Sequence, residues 1–153
     1  MAVAITVMVL VLLAMIGSLW WLLPTPAERR RMKLRQLAFS HGLKVREARD
    51  EMAEWQIDVT ERGVLMEYYL FREEAKGGRW DIVRPGGISI PQKESQRLEA
   101  SHPAMALVEW EKLPADLLMW CRRDQKYSFF WFEGCDAEGL MGAIDTLKKL
   151  SQY

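Results

Sequence analysis

The N-terminal part of the chain carries one long apolar run. Residues 2–23 (AVAITVMVLVLLAMIGSLWWLL) comprise 22 amino acids without a charge, and a basic block follows at once. A helix rises 1.5 Å per residue, so this run would be about 33 Å long, enough to cross a bilayer core of about 30 Å. It lacks the basic start and small-residue cleavage site of a signal peptide, and the polar face of a soluble helix. We therefore expect a transmembrane helix over residues 1–24.

The next segment, residues 25–42, predicts a juxtamembrane basic helix. Thr25 and Glu28 have the spacing of a capping box, and Pro26 takes the first helical position. Gly42 is placed to end the helix. Five residues of this segment lie on one face at helical spacing: Ala27, Leu34, Leu37, Ala38 and His41.

The charges that flank the apolar run lie on one side only. Basic residues follow the run and none precedes it: Arg29, Arg30, Arg31, Lys33 and Arg35. By the positive-inside rule, the N-terminus faces outward and the rest of a single-pass protein of the plasma (bacterial inner) membrane is cytoplasmic. Trp20 and Trp21 occupy the position of membrane-interface tryptophans. Topology alone accounts for the cations, and a site for anionic lipid or for a partner protein is the alternative.

After Leu43 the polar pattern changes to a period of two, which is typical of half-buried strands. Residues 64–71 are apolar on both faces except at Glu67, which predicts a central strand. Segments rich in glycine and proline separate the strands, and residues 91–104 predict a loop. The full set of predicted strands is 53–60, 64–71, 79–84, 117–123 and 127–133, with shorter patterns at 88–90 and 105–110.

A closing helix is predicted from an Asp136 cap to about residue 151. Its buried stripe consists of Leu140, Ala143, Ile144, Leu147 and Leu150. Together the elements predict an α+β protein: a transmembrane helix and a juxtamembrane helix, then a mostly antiparallel, six- or seven-stranded curved sheet or split barrel packed by the C-terminal helix. The predicted domains are 1–24, 25–42 and a cytoplasmic α+β domain at 43–153. The order of the strands and the closing helix resembles a pleckstrin-homology-type barrel.

The distribution of charge along the chain argues against a nucleic-acid partner. The formal net charge is zero, but residues 29–35 hold five of the 21 basic residues, so residues 36–153 carry 16 basic and 20 acidic residues. Nucleic-acid binding requires a basic face, so we expect no nucleic-acid partner. The expected partners are the lipid bilayer and a protein, either a different chain or a second copy of this one.

Residues able to carry chemistry are few. The cysteines, Cys121 and Cys135, are expected to be free thiols in a reducing cytosol. A catalytic thiolate needs a base, and the two histidines lie at a helix end (His41) and in a long loop (His102). Two acidic pairs fit a solvated surface better than a catalytic cleft, namely Glu73–Glu74 and Glu109/Glu111. We expect no catalytic, cofactor-binding or metal-binding residues.

The densest apolar segment of the domain is an aromatic strand near its end. A core strand explains it. If one face of the sheet is open, however, some rings are covered by the closing helix, by a partner or by a second copy. The candidate partner surface consists of Tyr127, Phe129, Phe130, Trp131 and Phe132.

In the order of hydropathy and charge, about the first 45 residues resemble the YajC family, the accessory subunit of the bacterial preprotein translocase. The shared features are the apolar helix, Leu23 and Pro24, the basic helix, and a strand led by glycine at residues 42–45. The family's glutamine-containing basic motif and Gly-Gly turn are absent here. The resemblance implies, by analogy, an accessory membrane role.

We expect a non-catalytic interaction or accessory module of a membrane protein complex. The alternative is a membrane-tethered small-ligand-binding domain or enzyme with a pocket in the sheet. A polar-lined cavity that contains His102 or Cys121 would indicate the alternative, and a solid core with an exposed aromatic face would favour the interaction module.

Overall fold

The computed structural model describes residues 2–20, 23–56, 63–73, 78–86, 96–97 and 102–152. It separates into two units, residues 1–32 and 33–153, and each is described by itself. Several predicted features lie outside the described residues: Trp21, strand residues 57–60, the short strand 88–90 and most of the loop at 91–104.

The first unit contains helix α1 (Ala2–Trp20) and the beginning of helix α2 (Pro26–Ser40). Every described side chain of α1, from residue 3 to residue 18, is exposed, although most of these side chains are large and apolar. The predicted capping box is confirmed. The Glu28 amide donates to Thr25 Oγ1 over 3.2 Å, and the Thr25 amide donates to Glu28 Oε2 over 2.6 Å. Among the described residues, no helix combines the length and the apolar character that a membrane span requires.

The second unit is an α+β domain whose described strands form an open sheet. After α2 its elements are β1 (Lys44–Glu47), α3 (Arg49–Glu54), β2 (Met66–Phe71), β3 (Arg79–Val83), β4 (Gln96–Arg97), two short 3₁₀ helices (Pro103–Leu107 and Trp110–Lys112), β5 (Leu117–Arg123), β6 (Lys126–Trp131) and α4 (Ala137–Leu150). Five antiparallel strands lie in the order β1–β2–β6–β5–β3, and β4 pairs with β3 in parallel. The predicted α+β class, antiparallel pairing and C-terminal helix are confirmed. The described strands form an open sheet and not a split barrel.

The first face of the sheet forms the main core beneath α4. Tyr68 on β2, Phe129 on β6 and Trp120 on β5 lie in one cross-strand row of this face, and all three are 0% exposed. The predicted cap of α4 is confirmed, since Asp136 Oδ1 accepts from the Gly139 amide over 3.1 Å. So is its buried stripe, in which every member is 0% exposed: Leu140, Ala143, Ile144, Leu147 and Leu150. Burial of the four leucine and isoleucine side chains of this stripe stabilises the fold by about 1.5–3 kcal/mol each.

The second face of the sheet is apolar at one end and charged at the other. At the apolar end, α3 and the residue after it provide the cover, and the Trp55 ring packs edge-on against Phe130 with 5.1 Å between ring centroids. Met52 of α3 belongs to the same buried cluster. Toward the β5–β6 turn, this face carries ionisable side chains in adjacent cross-strand rows.

The predicted strand at 53–60 is wrong over its described part. Residues 53–54 belong to α3, and a turn follows. Met52 and Trp55 are buried and three residues apart, which is the spacing of one helix face, whereas Ala53, an inward position of the predicted strand, is exposed. The strand of this region is β1, which starts soon after Gly42, with a φ of 81°, ends α2.

The predicted strand at 105–110 is also wrong, because 3₁₀ helices occupy this segment. Pro103 takes the first helical position, which its fixed φ suits. His102 Nδ1 accepts from the Ala104 amide over 3.2 Å and caps the turn.

The predicted hairpin of β5 and β6 around residues 124–125 is confirmed. Asp124 has a φ of 56°, a left-handed conformation that aspartate tolerates in tight turns. The hairpin places Cys121 opposite Ser128 and Arg123 opposite Lys126. It therefore sets which charged residues become neighbours on the second face.

Candidate functional site on the second sheet face

The aromatic segment predicted as a partner surface lies inside the domain. Tyr127, Phe129 and Trp131 belong to the main core, and Phe130 and Phe132 belong to the cluster that contains Trp55. None of the five is more than 9% exposed. The segment is core in this structure and offers no exposed ring to a partner.

The predicted membrane-interface cations lie on α2. Arg29 Nε donates to the Pro24 carbonyl over 3.0 Å. Lys33 is exposed and Arg31 is half-buried, whereas the Trp20 side chain lies outside the described residues. These positions fit a basic helix that presents charge to its surroundings, with one exception described next.

Arg35 is tied to the sheet domain. Its guanidinium donates two hydrogen bonds of 2.8 Å to the carboxylate of Glu133, which is 2% exposed. The Tyr68 hydroxyl donates to the same carboxylate over 2.7 Å. The hydrogen bonds to Glu133 raise the pKa of Arg35, and burial raises the pKa of Tyr68 well above its ordinary value. Within the second unit, Arg35 therefore fastens residues 33–40 of α2 to the segment that follows β6.

The candidate catalytic residues are dispersed or inert. Burial raises the pKa of the Cys121 thiol to about 12, and its Sγ lies 2.9 Å from Ser128 Oγ. His102 serves as the cap described above, and Glu109 is exposed and ion-paired with Lys112. Within the described part of the chain, no group of three or more histidine, cysteine or acidic residues is placed to hold a metal ion. A thiol with such a pKa is protonated near neutral pH, so it does not act as a nucleophile there.

A buried ionic network on the second face is the main feature that the sequence did not predict. Glu67 is 1% exposed and forms ion pairs with Arg46 and, over 2.6 Å, with Lys126 Nζ. Arg123 forms a second pair with Asp81 over 2.7 Å, and Asp81 is 8% exposed. The available signal was Glu67 itself, the one charged residue of an otherwise apolar strand. Its partners depend on strand pairing and so could not be read from local sequence.

Three cations occupy one cross-strand row above this network. Lys126 lies opposite Arg123, which lies opposite Arg79 on β3. Like charges in directly opposite positions destabilise a sheet. Here they are balanced from below by the buried carboxylates of Glu67 and Asp81, and at the edge by Asp124, 3.8 Å from Arg79. Glu67 and Asp81 are thus buried, whereas Asp124 and the guanidinium groups of Arg79 and Arg123 reach solvent.

Two aromatic rings extend the row toward β1. Lys126 Nζ lies 4.5 Å from the centroid of the Tyr69 ring, and Lys44 Nζ lies 5.5 Å from that of Phe71. The two rings contact each other edge to face, with 5.6 Å between centroids. Phe71 is 55% exposed, so much of one phenyl ring contacts water between the ammonium groups of Lys44 and Lys126. We call this site the cation–aromatic surface: Lys44, Tyr69, Phe71, Arg79, Arg123 and Lys126.

The chain matches no protein-family model, no curated protein and no solved structure. The likeness of the first 45 residues to the YajC family therefore stays an analogy. The function has to be argued from the geometry of the chain itself.

Proposed function

We propose that this chain is a membrane-anchored, non-catalytic interaction module that serves as an accessory part of a membrane protein complex. The observation that carries the proposal is the partial cover of the second sheet face. The α3 segment packs over one end, and at the other end Phe71 is 55% exposed beside Lys44. The exposed ring and the cations beside it offer a partner an apolar contact flanked by charged ones.

The N-terminal helix supports the membrane-anchoring part of the proposal. The described side chains of α1 are exposed and carry no charge, and the apolar run of the sequence continues beyond α1 to Leu23. A helix with apolar side chains of this kind is stable in lipid, where its backbone groups are already paired. In this proposal the apolar run crosses the plasma (bacterial inner) membrane once. The N-terminus lies outside, and the arginines of α2 and the domain lie in the cytoplasm.

Ligand binding or catalysis is the alternative, and one row of the second face supports it. Ser128, Cys121 and Asp81 lie side by side across β6, β5 and β3, with Arg123 paired to Asp81. The buried, protonated thiol weighs against thiolate chemistry in this row. Under our proposal, Cys121→Ala leaves both the membrane level and partner binding unchanged.

Membrane anchoring is tested by extraction and by topology reporters. Alkaline carbonate should leave the full chain in the membrane pellet and release a chain that lacks residues 2–23. Alkaline phosphatase fused after Tyr153 should be inactive, and a green fluorescent protein fused there should be fluorescent, because the domain is cytoplasmic. Replacing Arg29, Arg30 and Arg31 together by glutamate should weaken or invert the orientation. Carbonate extraction of the full chain, or an active phosphatase fusion, would contradict the anchor or its orientation.

A further inference from the structure

We propose that the cation–aromatic surface binds an acidic, extended segment of a partner protein. This inference rests on the proposed interaction function and names the chemistry of its ligand.

The charge of the surface is the first argument. Lys126, Arg123 and Arg79 form its outer row. The carboxylate partners of the first two, Glu67 and Asp81, are 1% and 8% exposed, whereas Asp124 beside Arg79 is exposed. At Lys126 and Arg123, a partner therefore meets the cations and not their buried carboxylates. Glu67 is also paired with Arg46, which has a second carboxylate partner in Glu51. Acidic side chains of a partner would relieve the repulsion within the row, because opposite charges across a sheet are favourable.

Lys44 adds a cation with a different environment. Among the described residues it makes a cation–π contact with Phe71 and no ion pair. Its ammonium lies at the β1 side of the surface, beyond Phe71 from the cation row. A partner that reaches both Lys44 and the row must pass over the exposed Phe71 ring, which provides an apolar contact between two charged ones.

The dimensions of the row fit an extended peptide. Adjacent strands are about 4.8 Å apart, so the row from Lys126 to Arg79 spans about 10 Å. Alternate side chains of an extended chain repeat every ~7 Å on one side. Two acidic residues separated by one residue can therefore contact the row together. The intervening residues point away from it.

The overall charge of the domain favours a short acidic segment over a nucleic acid. Residues 36–153 carry 16 basic and 20 acidic residues, so a long polyanion would leave the cation–aromatic surface and meet a surface of its own sign. Asp124, at the Arg79 end of the row, has a side chain that is 63% exposed. A continuous phosphate backbone needs an extended basic face, which this balance does not provide.

The test uses the full chain in micelles of a nonionic detergent and a fluorescein-labelled peptide of alternating Glu and Ala residues. Fluorescence anisotropy should show saturable binding, and raising the salt from about 50 to about 500 mM should weaken binding about tenfold or more. A peptide of alternating Lys and Ala residues should not bind. Lys44→Glu combined with Arg79→Glu should abolish binding, and Phe71→Ser should weaken it severalfold.

The matched control places the same charge change elsewhere. Arg49→Glu combined with Lys149→Glu replaces two exposed cations outside the surface and should bind the probe like the original chain. Equal urea midpoints of all variants establish that the fold is intact. Absence of peptide binding by the original chain, equal losses in both double variants, or tighter binding of an oligothymidylate would overturn the inference. The carbonate and topology results do not depend on this surface, so failure here is distinguishable from failure of the membrane anchor.

Discussion

The environment of a single residue decides whether it is reactive or only part of the core, and Cys121 is the example in this domain. Cys121 is flanked in sequence by Trp120 and Arg122, a pattern compatible with an activated thiol, yet in the fold it is 3% exposed on the second face. Desolvation disfavours the thiolate more than the charge of nearby Arg123 favours it, and this raises the pKa. The sequence shows that residue 121 is a cysteine, but its burial depends on the fold and could not be predicted from its sequence neighbours.

The raised pKa of Cys121, at about 12, predicts a pH dependence of stability. An unfolded cysteine has a pKa of about 8.5, so above that pH the unfolded chain loses a proton that the folded chain retains. The free energy of unfolding should therefore fall as the pH rises from about 8.5 toward about 12. Urea unfolding at pH 7.5, 8.5 and 9.5, which all lie below the ordinary tyrosine pKa of about 10, measures this fall.

Two variants isolate the contribution of this thiol. Cys121→Ala should flatten the decline between the two higher pH values, whereas Cys135→Ala, at a half-buried position, should keep it. The Cys121 variant should itself lose on the order of 1 kcal/mol for the small cavity. A decline of equal slope in both variants would contradict the assignment.

At the scale of elements, prediction succeeded where the signals are local. The apolar run of residues 64–71, the turn at 124–125 and the Asp136 cap each depend on residues close in sequence, and the structure has a strand at Met66–Phe71, the turn and the cap. The strand predictions for residues 53–56, the described part of the first segment, and for 105–110 failed because a short apolar alternation also fits a helical turn. The ion pairs of the second face join residues of different strands, so their geometry follows from register and not from local pattern.

Arg84, just after β3, gives an element-scale prediction. Its Nε donates to the Leu117 carbonyl over 2.9 Å, and Nη2 donates to the carbonyls of Pro114 and Leu113 over 2.6 and 3.2 Å. The guanidinium also stacks 5.0 Å from the Trp110 ring. Burial lowers the Arg84 pKa, so these carbonyls stabilise a partly desolvated cation that fastens the segment before β5 to the sheet.

Arg84→Lys should destabilise the domain by about 1–3 kcal/mol, since an ammonium group cannot reproduce the planar set of donors. Urea unfolding measures the loss, and amide hydrogen exchange of residues 110–117 should accelerate more than that of α4. Arg49→Lys is the control, because the Arg49 side chain is 79% exposed. Equal effects of the two substitutions would show that the contacts of Arg84 contribute nothing specific.

At the scale of the whole molecule, the folding information of the sheet domain lies after residue 32. The main core and the buried cluster around Trp55 on the second sheet face both consist of residues from the range 34–150. A chain that begins at Thr25 should therefore unfold in a single cooperative transition when followed by tryptophan fluorescence and circular dichroism. A gradual, non-cooperative loss of signal would place part of the core in the N-terminal unit.

Removal of residues 136–153 from the same fragment should prevent folding, because it uncovers the first face of the sheet. The four large side chains of the α4 stripe contribute about 1.5–3 kcal/mol each, or about 6–12 kcal/mol together, which is comparable to the whole stability of a typical domain, roughly 5–15 kcal/mol. Circular dichroism of the truncated chain checks this. A native-like, cooperative spectrum would show that α4 is dispensable.

Glu67 helps to specify the register in which β2 pairs with its neighbouring strands. Because strand side chains alternate, a slip of β2 by one residue would turn this carboxylate toward the first face, against Trp120 and Phe129. There it would have neither water nor the cations Arg46 and Lys126, and an unpaired buried charge costs several kcal/mol. The native register of β2 is therefore more stable than a register shifted by one residue. Glu67, the one charge in the apolar pattern of β2, is therefore compatible with the native register and destabilises the registers shifted by one residue.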